Sequence, residues 1–151
     1  MRSIYDNVTV GSIAAASNTT GSTICTGASL DTRGYNTGVL RVFVSTLASG
    51  LSVGSGASLT AVLQESTDAS TWTTATDLTG ATIGGTTEAT TTAVLASYRI
   101  EGLGLQRKRY LRVQTTAAFG AVAPNRLFTS AAVIEVGRAY SNPVTTTVSN
   151  T

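Results

Sequence analysis

Histidine is absent from these 151 residues, cysteine and lysine occur once each, and only eight acids are scattered along the chain. Without an imidazole, a serine or threonine nucleophile would depend on Lys108, which stands between two arginines. A single cysteine excludes an internal disulfide, and the lack of any CxxC, CxxH or HExxH spacing excludes a structural zinc site. Cys25 reads as a small buried apolar residue. Glu65 and Asp68 flank one turn with no further acid placed across a cleft, so they read as solvated turn carboxylates rather than a glycosidase pair. Gly102-Leu103-Gly104 begins like a dinucleotide fingerprint, but the last glycine and a following helix are missing, which leaves a turn. No enzymatic activity, cofactor or metal is expected.

Charged residues make up 12% of the chain, about half the ~25% of ordinary soluble domains. The formal charge of +2 comes from nine arginines and one lysine set against the eight acids. That excess is too small and too dispersed to argue for nucleic acid. The N-terminal stretch has no apolar run long enough for a signal or membrane segment, so synthesis in a reducing cytoplasm and no membrane partner are expected.

What is abundant is threonine, 28 residues of it, with serine, alanine, glycine and valine. Branching at Cβ suits pleated strands, and short hydroxyl side chains satisfy turns. The length fits one domain with its own core. Residues 1–22 have weak periodicity and read as an extended N-terminal arm, 23–137 as the body, and 138–151, with Asn142-Pro143, as an extended polar tail.

Within the body, Val39 to Leu47 puts Leu40, Val42 and Val44 on one face and Arg41, Phe43 and Ser45 on the other. Leu59 to Glu65 alternates in the same way. After a turn at Ser66 to Ser70, Thr71 to Leu78 returns as a threonine-rich strand carrying Trp72, so the two form a hairpin. Thr86 to Ile100 is again β-branched. In Tyr110 to Gln114, Leu111 and Val113 oppose Tyr110 and Arg112. Arg126 to Val136 is apolar on both faces, which marks a central strand. Trp72, Phe43, Phe128 and Ile134 are the expected large core residues. Seven or eight strands with no helical stripe predict an all-β chain, a single β-sandwich of jelly-roll or immunoglobulin-like type with arms at both ends.

The one charge cluster is Arg107-Lys108-Arg109 with Arg112. It reads either as a grip on an acidic partner surface or a nucleic acid backbone, or as a solvated turn entering a strand. A Gly/Ser/Thr N-terminal arm, the strand Val62-Leu63-Gln64-Glu65-Ser66, then Thr67-Asp68 and Ser70-Thr71-Trp72, then Arg109 to Val113, and a closing alanine-rich strand before a polar tail resemble the jelly-roll capsid cement, or decoration, proteins of tailed bacteriophages. The resemblance covers roughly residues 23 to 137. It implies a virion structural protein, made in the host bacterial cytoplasm, that binds the outside of a major capsid shell and stabilises it. It further implies a homo-oligomer, with a dimer ahead of a trimer. The candidate interface comprises Arg2, Ile4 and Tyr5 in the arm, Arg107, Lys108, Arg109 and Arg112 in the cluster, and Tyr140 and Pro143 in the tail. Two other readings share the composition: a carbohydrate- or cell-surface-binding module that stacks sugars on Trp72, and a phage tail or fibre component.

Overall fold

Alternation with a period of two resolves into strands. In the computed structural model, residues 8–16, 22–44, 58–88, 94–103, 105–118 and 130–137 are described. They form ten strands and no helix: β1 Val8–Ala16, β2 Ser22–Thr26, β3 Leu30–Asp31, β4 Thr37–Val44, β5 Ser58–Ser66, β6 Thr73–Thr74, β7 Gly84–Glu88, β8 Val94–Ile100, β9 Tyr110–Ala118 and β10 Ser130–Gly137.

The pairings trace one long antiparallel ribbon: β1 with β10, β2 with β9, β4 with β8, and β5 with β7. The ribbon rolls up when β10 also pairs β4 and β9 also pairs β5. Two antiparallel sheets result, ordered β1-β10-β4-β8 and β2-β9-β5-β6, with β3 beside β9 and β7 beside β5. This is the jelly-roll form of the β-sandwich.

The core lies between the sheets and comes from alternate residues. Leu40, Val42 and Val44 of β4, Ile100 of β8, and Ala132, Ile134 and Val136 of β10 face Leu59, Ala61 and Leu63 of β5 and Leu111, Val113 and Ala117 of β9. Each fully buried Leu, Ile or Val contributes about 1.5–3 kcal/mol. The hydroxyl of buried Thr115 is satisfied by the Cys25 carbonyl at 3.4 Å. Gly84 is held at φ +134°, and a Cβ there would overlap the Ala61 carbonyl, so β7 reaches β5 only because this residue has no side chain.

Several expectations change. Val8–Ala16 lies in the expected N-terminal arm, yet its backbone is an edge strand of the first sheet, hydrogen-bonded to β10. Its register shifts between Val10 and Ile13, and such a bulge hides the period of two. Phe43 is 41% exposed rather than a core residue, because Val42 and Val44 on either side take the inward positions. Trp72 is half-buried and outside the core cluster, drawn onto Arg112. Cys25 is half-buried and packs against the core from one side. The strand expected from Thr71 to Leu78 is reduced to Thr73–Thr74 and a single bridge from Thr76 to Thr82. The central position of β10 and the inward face of Ile134 are as the alternation predicts. Phe128 lies outside the described residues, as do Arg2, Ile4, Tyr5, Tyr140 and Pro143.

Candidate functional site

One end of the sandwich gathers most of the charge. β10 ends at Gly137, which pairs with Val8 at the start of β1 and with Thr37 at the start of β4. The described chain therefore begins and leaves side by side. The loops joining β3 to β4 and β8 to β9 lie at the same end, tied by the Asn36 amide to the Gly137 carbonyl and the Thr32 amide to the Arg109 carbonyl. All nine candidate interface residues are either in these loops and the start of β9 or in the segments that join the fold here.

The arginine cluster is committed inside the molecule. The β8–β9 loop turns on Gly102, at φ +74°, whose carbonyl accepts the amides of Leu105, Gln106 and Arg107. That turn swings Arg107 inward: its side chain is only 8% exposed, and its guanidinium lies 3.5 Å from the Glu65 carboxylate, itself 15% exposed. The Arg107 Nε also donates to the Glu101 carbonyl at 3.0 Å. Glu65 is thus half of a buried ion pair, not a solvated turn carboxylate. Lys108 donates to the Thr73 hydroxyl at 2.6 Å, anchoring the short β6.

Arg109 grips Asp31 with two nitrogens, Nε at 3.1 Å and Nη2 at 2.6 Å, and lies over the Tyr110 ring. Arg112 donates through Nε to Gln64 at 2.7 Å and stacks 4.3 Å from the Trp72 ring centre. Gln64 passes its own amide to Gln114 at 3.3 Å. The strings Val62 to Ser66 and Arg109 to Val113 are therefore one structural unit, paired Leu63 to Val113, Gln64 to Arg112 and Ser66 to Tyr110. A shallow depression beside this unit is lined by Thr32, Arg33, Arg107 and Arg109. Asp31, Gln64 and Gln114 had no local sequence signal, because their partners are tens of residues away.

The acids in the turns are strongly held in the charged form. Asp31 is lowered from 3.8 to about 2, first by the Arg109 hydrogen bond and then by the Arg33 amide. Asp68 is held well below the usual carboxylate range, chiefly by the Thr71 amide, then by Ser70 and the Ser66 hydroxyl. Asp77 is lowered by the Thr79 hydroxyl and the Ala81 amide. Because all three native values lie below the unfolded ones, their stabilisation is complete above about pH 5 and is lost as pH falls toward 2. Urea midpoints are expected to be level from neutrality to about pH 5 and to drop steeply below about pH 4, with a shallower drop in Asp68→Asn. A midpoint independent of pH down to 2 would contradict these contacts.

Among the described residues no three His, Cys, Asp or Glu side chains gather as a metal site, and no helix is long and apolar enough to cross a membrane. No protein-family model matches the chain, and no curated protein matches it. Among solved structures, the structure of infectious bursal disease virus Gx strain is similar at 12% identity and a TM-score of 0.46, over 90% of this chain and 32% of that one. The chain thus spans about a third of the length of that protein.

Proposed function

We propose that this chain is a non-enzymatic virion protein that binds the outside of a phage major capsid shell as a homo-oligomer and stabilises it. The observation that carries the reading is the convergence at one end of the sandwich. The points where residues 1–7 and 138–151 join the fold are adjacent there, beside the β8–β9 loop. Two polar segments leaving a rigid sandwich at one end suit capture of neighbouring capsid subunits by backbone pairing and apolar burial. Two of the strings that carry the resemblance to cement proteins, Val62 to Ser66 and Arg109 to Val113, also pack as a single unit at this end.

Because Arg107, Lys108, Arg109 and Arg112 are each engaged within the fold, the attachment we propose does not rest on a free basic patch. A sugar-binding role for Trp72 would have to displace Arg112 from the ring. Many copies on one lattice then convert modest single affinities into firm attachment. The test is co-sedimentation of the purified protein with expanded, undecorated heads. Saturable binding together with a raised rupture temperature is expected. Absence of binding, or binding to glycans in its place, would refute the reading.

A further inference from the structure

The outward face of the first sheet is a second surface, built in rows across β10, β4 and β8. The rows are Ala131, Phe43 and Leu95, then Val133, Arg41 and Ser97, then Glu135, Val39 and Arg99. Phe43 is 41% and Leu95 60% exposed, so the first row is apolar and open. In the third row an acid on β10 and a base on β8 stand on either side of Val39. Arg41 bonds Glu135 at 2.7 Å, while the side chain of Arg99 is 82% exposed and reaches Glu101 at 3.2 Å.

We propose that this face packs on the same face of a second copy of the chain, about a twofold axis running along β4. The inference rests on the homo-oligomer part of the reading above and not on attachment to a shell. A rotation about that axis exchanges β10 and β8 across the interface while keeping each residue at its height along the strands. Glu135 of each copy then faces Arg99 of the other, Val39 and Phe43 meet their own counterparts, and Leu95 lies over Ala131. In the Glu135–Val39–Arg99 row the charges are of opposite sign on either side of the strand that carries the axis, which is the complementarity an isologous contact needs. Arg41 also meets its counterpart, but each is neutralised by Glu135 within its own copy. Face-to-face packing of nearly aligned sheets is a common arrangement. An axis along the strands also leaves the two termini-bearing ends on the same side, so both copies can engage one lattice.

The 151-residue chain is examined by sedimentation velocity from low to high micromolar concentration. A dimer is expected, reduced to a monomer by Leu95→Asp and weakened about tenfold or more in dissociation constant by Arg99→Glu, with the circular dichroism spectrum unchanged. Should Leu95→Asp fail to fold, Arg99→Glu, at an open position, decides. In a Cys25→Ser background, a short bismaleimide is expected to link Val39→Cys into covalent dimers and to leave Thr60→Cys, on the opposite face of the sandwich, monomeric. A monomer throughout, a trimer, a dimer indifferent to Arg99→Glu, or linkage through Thr60→Cys alone would overturn the proposal. A dimer that ignores expanded heads would leave this surface standing and remove the attachment reading instead.

Discussion

Truncating Arg107 to alanine is expected to lower the stability of the fold by about 3–5 kcal/mol, the range for removing one member of a buried ion pair. The side chains of Arg107 and Glu65 are 8% and 15% exposed, so the carboxylate left behind has little water to replace its partner. Loss of the Arg107 bond to the Glu101 carbonyl would add to the effect by loosening the β8–β9 loop. The double variant Glu65→Leu/Arg107→Met should recover much of the loss, since two apolar side chains of similar size leave no unpaired charge. Urea melts of the three proteins read this directly. An Arg107→Ala variant within about 0.5 kcal/mol of the parent would mean that the pair is solvated and behaves like a surface bridge.

The second large effect is in the core. Ile134 is fully buried in the central strand β10, between the two sheets, and Ile134→Ala is expected to cost about 2–5 kcal/mol. Ile24, 65% exposed on β2, is the matched control, and Ile24→Ala should change stability by less than about 0.5 kcal/mol. The opposite order of effects would mean that the inward and outward faces are exchanged, the signature of a one-residue register error.

The strands that were legible in the sequence are those whose burial alternates without interruption. Leu40, Val42 and Val44, or Leu111 and Val113, announce an inward face over a span of five residues or fewer, because a pleated strand repeats every two. The number of such segments led to a β-sandwich of jelly-roll or immunoglobulin-like type and left the order of strands open. β1 escaped detection because the register shift between Val10 and Ile13 breaks its alternation. Any truncation that removes residues 1–22 therefore takes away a strand of the sheet.

The site was legible in residue type and not in arrangement. Arg107, Lys108, Arg109 and Arg112 stood out as a run of charge. Their partners Glu65, Thr73, Asp31 and Gln64 lie between 35 and 78 residues away in sequence. No local pattern reports a pairing of that kind. Trp72 failed for the same reason: its position is set by Arg112 across the sheet, not by its neighbours in the chain. Here acids have been folded against two members of the run, Glu65 against Arg107 and Asp31 against Arg109, while Lys108 and Arg112 are held by the neutral groups of Thr73 and Gln64.

Engagement of all four side chains within the fold sets the decisive measurement, a salt titration of attachment to expanded heads from about 50 mM to about 500 mM sodium chloride, a range over which the screening length falls several-fold. Bound protein per head is expected to stay nearly constant, and to remain so in a variant with Lys108 and Arg109 both replaced by glutamine. Binding that collapses with rising salt, or that is lost in that variant, would make the arginine cluster the gripping element and contradict the account.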